Sequence, residues 1–366
     1  MNNIPPKTIS HSSKEKYHTC GKMYDLHYNQ RIRSKTVSSA LVFGGAIDQA
    51  FNALLDGQSL TEANLIFESA WYSSKVNGQE VVLSNTSIIE YYKADCNLDL
   101  LDESDVKVLD YLNPKSKIES LALLFQIIEN LDRHMNFKSD VDVRLFQKAC
   151  WLSLRQKGLL FLKTYHDKIL PLFDKVIKTQ IPVKLYDESG NTEINGFADF
   201  IATLKTDPTT NIIFDNKSAS KPYKSDAVQN SEQLSLYSFV LGAEYNTNTA
   251  GYIVLNKTPK KNVLSRTCIK CKTSYPVNTR KKTCSAKNCN GHINENKEII
   301  IDFQVLTCYI SPEQEQKTLE GLSKAVDNIA EASFEPNFEA CHNQFGRKCV
   351  YFDLCHKNSM DGLIKL

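Results

Sequence analysis

The chain has 366 residues, 42% of them hydrophobic and 23% charged, which is the make-up of an ordinary folded protein of one large domain or two. Its formal net charge is +2, so no whole-molecule field draws it to DNA or to a membrane, and a nucleic-acid surface has to come from local clustering. The stretch MNNIPPKTISHSSKEKYHTC lacks a signal-peptide core and the longest apolar run, 121–131, is too short to span a bilayer, which excludes a membrane partner and makes the cytoplasm the expected location.

In chain order, residues 38–56 predict a helix ending near Gly57. Ser59 and Glu62 form a capping box for a second helix carrying Phe67 and Trp71. Segments 118–135 and 142–170 show helical spacing, and 95–115 between the helical stretches is acidic and turn-rich. The pattern changes near residue 173. KVIKTQIPVKLYD alternates like a strand and ends in the turn SGN; NGFADFIATL is a second strand, DPTTN a turn and NIIFDNK a third, short strand. Residues 225–242 return to helix. GYIVLNK and KEIIIDFQVLTCYI read as further strands, and Ser311, Pro312 and Gln314 open a last long helix. Strands flanked by helices predict an α/β mixed-sheet core.

Three of these residues suggest phosphodiester chemistry. Hydrolysis of a phosphodiester needs an activated water and relief of phosphate charge, which a divalent ion on hard oxygen ligands supplies. Asp199 and Asp215 lie near the ends of two adjacent predicted strands joined by a short turn, so an antiparallel hairpin brings both to one end of the sheet. Lys217 follows Asp215 by two, on the same face of the strand, where its ammonium can orient water or stabilise negative charge. Gln233 and Tyr237 are four apart on a predicted helix and share a face. An Asp-x-Lys tripeptide alone means little. Asp105-Val-Lys107 is another, and it reads as solvated surface, with no upstream Gly-x-x-Asp (here Gly196 to Asp199) and no downstream Gln-x3-Tyr.

Eleven cysteines in such a chain read as thiolate–metal sites rather than disulfides. Cys268-x2-Cys271 followed by Cys284-x4-Cys289 is a zinc signature, and it predicts a small zinc ribbon inserted between two strands, with His292 as a substitute ligand. Lys270, Lys272, Arg280, Lys281 and Lys282 decorate it, either to contact phosphates or merely to solubilise a knob. Cys20 near one end and Cys341, Cys349 and Cys355 near the other form a second set of four. Four thiolates suit zinc or a [4Fe–4S] cube, and spacing does not choose between them. Closing a loop of that length costs about 5 kcal/mol, which a thiolate site of about 10–16 kcal/mol can exceed. Cys96, Cys150 and Cys308 are left as ordinary buried residues.

The ordered set Asp199, Asp215-x-Lys217, Gln233-x3-Tyr237 resembles the RecB-like branch of the PD-(D/E)XK nuclease superfamily, in particular phage- or mobile-element-type exonucleases similar to those of CRISPR adaptation. The resemblance runs from about Cys20 to Cys355 and is weakest over 57–170. It implies a restriction-endonuclease-like core, with 1–56 as its N-terminal segment, 57–170 as a helical insertion, 171–264 as the nuclease core, 265–293 as the zinc ribbon and 294–366 as the core continuation with the C-terminal cysteines. It implies a catalytic set of Asp199, Asp215, Lys217, Gln233 and Tyr237, and Mg²⁺ or Mn²⁺ held by Asp48, Asp199, Asp215 and Asn216. Asp48, in Phe43-Gly44-Gly45-Ala46-Ile47-Asp48, stands where the family often has histidine. The resemblance also favours [4Fe–4S] at the Cys20 set as a structural staple, although the seven residues between Cys341 and Cys349 exceed the family's tighter spacing. The implied activity is a stand-alone exonuclease on DNA ends, single-stranded ends included, in recombination, repair or replication inside a bacterial or phage-infected cell. There is no Walker motif of a fused helicase. The alternatives are a non-catalytic nucleic-acid-binding protein on a nuclease-like core, and a zinc-ribbon interaction module for which that core is only a scaffold.

Overall fold

The computed structural model describes residues 8–71, 75–76, 79–82, 154–155, 157–187, 189–219, 221–257, 260–331, 334–342 and 348–366. The helical expectation over 118–135, residues 142–153 and 156 of that over 142–170, the turn-rich 95–115, Asp105–Lys107, Cys96 and Cys150 lie outside these residues.

A six-stranded mixed sheet forms the centre. It contains β1 (Thr8–Ser10), β2 (Phe173–Tyr186), β3 (Glu193–Leu204), β4 (Asp207–Ala219), β5 (Thr249–Asn256) and β8 (Phe303–Tyr309). Strands β2, β3 and β4 run as an antiparallel meander, β5 lies parallel to β4, and β8 closes the far edge antiparallel to β5. The hairpin β3–β4 follows from the turn at Thr206, between two runs rich in Ile, Phe and Ala.

Helices cover both faces. On one lie α2 (Ser39–Leu55), α3 (Leu60–Trp71) and the helical residues 157–164. Here Phe43, Phe67, Trp71 and Phe161 interlock at ring separations of 5.7 to 6.2 Å. Phe67, Trp71 and Phe161 have no exposed surface, and each such burial contributes roughly 1.5–3 kcal/mol. The expected capping box starts α3: Ser59 N donates to Glu62 and Glu62 N to Ser59 Oγ. On the other face lie α1 (His11–Thr19), α4 (Glu232–Tyr245) and α5 (Pro312–Ala330). The second core joins Leu234, Leu241, Leu322 and Val326 to Ile201, Ile213 and Val254 of the sheet. Ser311 and Gln314 cap α5 reciprocally.

Three elements differ from expectation. DPTTN, expected as a turn, opens β4: Asp207 already pairs with Leu204 and the chain reverses at residues 205–206. The helix expected from 225 begins at Glu232, because the Ser231 side chain caps Leu234 N and residues 225–230 turn instead. KEIIIDFQVLTCYI is two strands rather than one. Ile293–Ile300 (β7) pairs with Lys260–Cys268 (β6) in a separate three-stranded sheet, and only β8 joins the main sheet. The break falls at Asp302, whose carbonyl accepts Asn256 N and whose carboxylate pairs with Lys260. A polar residue anchored twice at the junction of two sheets redirects a chain that composition alone reads as continuous.

The chain's ends meet. Ile32–Ser34 pairs with Leu363–Lys365, and Tyr351 OH donates to Ile32 O over a small core of Leu26, Ile32, Tyr351 and Leu363. Among the described residues, no helix is long and apolar enough to cross a membrane.

Candidate active site

The carboxylate pair sits where two strands part. Pairing of β3 with β4 runs from Leu204↔Asp207 to Phe200↔Phe214 and then stops. Further along the same edge of β3, Glu193–Asn195 carries β1 instead. Asp199 and Asp215 flank this opening. They lie within their strands rather than at the strand ends, as the sequence had suggested. Strand β3 also breaks its alternation here: Ala198 enters one core and Phe200 the other, although residues two apart share a face in a regular strand. Across from Asp199 lies Gln180, with φ +47°. The distortion turns the Asp199 carboxylate along the sheet edge, where its Oδ2 accepts the Asn216 N–H at 2.6 Å.

Strand β4 keeps its alternation. Phe214 enters the α2 and α3 core, while Asp215 and Lys217 face α4. Asp215 is 3% exposed. Its Oδ2 lies 2.6 Å from Lys217 Nζ and its Oδ1 accepts from Gln233 Nε2 at 3.0 Å. Gln233 also accepts from Lys217 Nζ at 3.0 Å and donates to Tyr237 OH at 2.8 Å. One amide on the first turn of α4 therefore bridges the lysine, the carboxylate and the tyrosine. Gly196 makes room for this arrangement, since a Cβ there would stand 3.1 Å from the Tyr237 ring.

The five expected catalytic side chains thus converge, and Asp48 joins them electrostatically. Burial holds the Asp199 carboxyl well above the usual range, and the neighbouring Asp215 and Asp48 charges add to the effect. Burial also raises Asp215, against the opposing pull of Lys217. Asp48, on α2, is raised by burial and then by Asp215. Burial would lower Lys217, but the Asp215 charge outweighs it and keeps the ammonium protonated. Three carboxylates facing one ammonium in a desolvated site leave excess negative charge. A divalent ion on hard oxygen ligands offsets that excess, so the chemistry of the donor set suits Mg²⁺ or Mn²⁺, while the three carboxylates do not all close within 4.8 Å of one another. Asn216 turns its side chain to the other face, where Tyr165 OH donates to its Oδ1 at 3.1 Å.

Several neighbours had no sequence signal. Lys14, in the polar run SSKEK, is 3% exposed and pairs with Glu232 at 2.6 Å. Tyr252 sits in register with Asp215 and places its ring 5.7 Å from Lys217 Nζ. His11 is close enough to feel Glu232 and Lys217, although burial dominates and lowers it. Each is brought in by an element remote in sequence.

The two cysteine sets differ in geometry. Sulfurs about 2.3 Å from a tetrahedral ion lie about 3.8 Å apart. Cys268 and Cys289 are 3.6 Å apart, Cys271 and Cys284 3.5 Å, and all four sulfurs fall within 4.8 Å. This set fits a single ion; the exposed His292 is not in it. Among the described residues, the only other group that closes within 4.8 Å is His11, Glu15 and Glu232. Cys20, Cys341, Cys349 and Cys355 line one pocket with Phe338 and Tyr351 without closing to that distance. Asn337 N donates to Cys20 Sγ at 3.3 Å, and Cys349 N to Cys341 O at 2.7 Å. Burial raises Cys349 and Cys355, and the nearby thiols add to it. Cys308 is half-buried rather than buried.

No curated protein matches the chain. Among solved structures, the one titled "Crystal structure of SSO0001" is similar at 9% identity, covering 66% of this chain and 84% of that one, with a TM-score of 0.23. A likeness that low carries no argument. The family model described as the PD-(D/E)XK nuclease superfamily matches residues 8–356, a span that contains the carboxylates, the lysine and both cysteine sets. Together with the central mixed sheet flanked by helices, that match shows that the chain belongs to the PD-(D/E)XK nuclease superfamily, whose members are generally nucleases that use divalent metals.

Proposed function

We propose that the chain is a Mg²⁺- or Mn²⁺-dependent deoxyribonuclease, an exonuclease acting on DNA ends in recombination, repair or replication. The observation that carries the hydrolytic reading is Gln233 binding Asp215, Lys217 and Tyr237 at once beside Asp199. The exonuclease and DNA-end assignment rests on the resemblance of the Gln-x3-Tyr motif to the RecB-like branch.

Asp199 and Asp215 would hold the ion, with Asp48 contributing from α2. The Asn216 side-chain oxygen already accepts from Tyr165, which leaves the main-chain carbonyl as that residue's donor. When bound, the ion supplies a nucleophile at neutral pH and relieves phosphate charge. Lys217, kept protonated by Asp215, offers the positive charge that stabilises the crowded phosphate oxygens. Gln233 fixes the lysine and the carboxylate relative to each other, so neither has to reorganise during the reaction. The Cys268 set would hold zinc. The wider Cys20 set would hold a [4Fe–4S] cluster that ties the two chain ends together.

The test is purified protein with single- and double-stranded DNA labelled at the 5′ or 3′ end, in Mg²⁺ and in Mn²⁺, beside Asp215→Ala. Stepwise shortening that is lost in the variant is the expected result. Cleavage retained by Asp215→Ala refutes the site. DNA binding with no metal-dependent cleavage by the wild-type chain makes it a binding protein instead.

A further inference from the structure

The active site is rich in carboxylates, yet its proposed substrate is a polyanion. The charge distribution suggests how the two are brought together. Residues 260–300 form the separate three-stranded sheet with the four clustered thiols. They hold ten lysines and arginines against two glutamates. The rest of the chain keeps 34 cations against 40 acids, a net −6. Between Arg266 and Lys287 there is no acidic residue. Arg266 is held by Glu295, and Lys270, Lys272, Arg280, Lys281, Lys282 and Lys287 are all exposed. The surface between them presents Ile269 and Val277, 55% and 50% exposed, rather than acids.

The position of this unit supports the same reading. Strand β5 runs parallel to β4, with Lys217 in register with Val254, and the chain leaves the main sheet just beyond, at Asn256. Lys260 lies six residues past Val254, at most about 20 Å of extended chain. The cationic unit is therefore rooted at the same end of the sheet as the catalytic lysine. A nucleic acid bound over Asp215 and Lys217 lies at the end of the sheet from which this unit projects.

We propose that residues 260–300 are a DNA-gripping arm that binds the phosphate backbone of the strand or duplex beyond the scissile bond. This inference rests on the nuclease reading for its substrate, and on charge, exposure and topology for its location. Such contacts carry no base specificity; they hold the polymer in place and make binding salt-dependent. A phosphate-binding lysine releases about 0.9 counterion, so loss of four contacts lowers the slope of log affinity against log salt by about 3 to 4.

The experiment uses the full-length, metal-loaded protein and a long DNA duplex, with Ca²⁺ in place of Mg²⁺, and titrates affinity across salt. Lys270→Gln, Lys272→Gln, Lys281→Gln and Lys282→Gln are combined in one variant. A control variant removes the same charge elsewhere with Lys205→Gln, Lys317→Gln, Lys324→Gln and Lys365→Gln, all exposed positions. Zinc content reports whether the arm stays folded. The arm variant, with its zinc retained, should lose the predicted slope. Its advantage from low salt should shrink by about 100-fold over a fourfold range of salt, while the control changes little. An unchanged slope overturns the proposal and leaves an acidic protein surface as the partner for these cations. An equal loss in the control also overturns it, by reducing the effect to net charge. Cleavage by the wild-type chain in Mg²⁺ is measured in parallel. Ribbon-dependent binding without cleavage sinks the nuclease reading alone, and cleavage with an unchanged slope sinks the arm alone.

Discussion

Gln233→Ala tests the logic of the site without touching a proposed metal ligand. The wild-type amide makes three hydrogen bonds, to Asp215 at 3.0 Å, Lys217 at 3.0 Å and Tyr237 at 2.8 Å. Two of these partners are charged, and hydrogen bonds to charged groups contribute about 1.5–3 kcal/mol. Asp215 is 3% exposed, so solvent replaces the lost donor poorly. If one such bond is needed to keep the lysine aligned in the transition state, the cost is roughly 10- to 100-fold in kcat at 1.36 kcal/mol per decade. Gln233 acts through its neighbours, so KM for DNA should stay near wild type. Gln233→Glu is the informative companion. It keeps an acceptor for Lys217, loses the donor to Asp215 and places a further carboxylate beside three others, which strengthens the pull on a cation, so it should need less Mg²⁺ for half-maximal rate. The assay is steady-state cleavage of end-labelled DNA across Mg²⁺ concentration, with thermal unfolding as the control for folding. An unchanged kcat in a normally folded Gln233→Ala protein refutes the argument, as does a Gln233→Glu variant with wild-type metal dependence.

Three further outcomes follow from the same geometry. Asp199→Asn removes a buried charge from a crowd of carboxylates, so it should raise the thermal midpoint of the metal-free protein while abolishing cleavage; Mg²⁺ should then stabilise the wild type and not the variant, and a lowered midpoint without metal contradicts this. Anaerobically purified protein should be brown, with iron and sulfide near four each per chain, and Cys355→Ser should lower both; stoichiometric zinc in a colourless protein at that site refutes the cluster. Gly291→Ala should cost zinc affinity, because the new Cβ would stand 2.7 Å from Cys268 Sγ; wild-type zinc retention in a competition against a chelator would show that the site adapts.

Much of this protein is legible in one dimension. Local chemistry determines α3 and α5, since a serine cap and a Glu or Gln three residues later close their own hydrogen bonds within one turn. The same holds for the face shared by Asp215 and Lys217, because a period of two needs no tertiary information. The closely spaced cysteine pairs were readable for the same reason. Tertiary structure decided what depends on distant partners. Lys14 looks like surface in a polar tract, and it is buried only because Glu232 comes to meet it. The run KEIIIDFQVLTCYI has one composition but two sheets to serve, and the Asp302 contacts with Asn256 and Lys260 divide it. Asp199 lies within its strand, and it reaches the site because β4 separates from β3 beyond Phe214 and Asn216 N–H bonds to its carboxylate. Whether a set of thiols surrounds one ion or a wider space is likewise a matter of separation in space: Cys268 and Cys289 close to 3.6 Å, while the Cys20 set, drawn from both ends of the chain, lines a pocket. Spacing along the chain names the candidate ligands, but only the packing of remote segments sets the distances between their atoms.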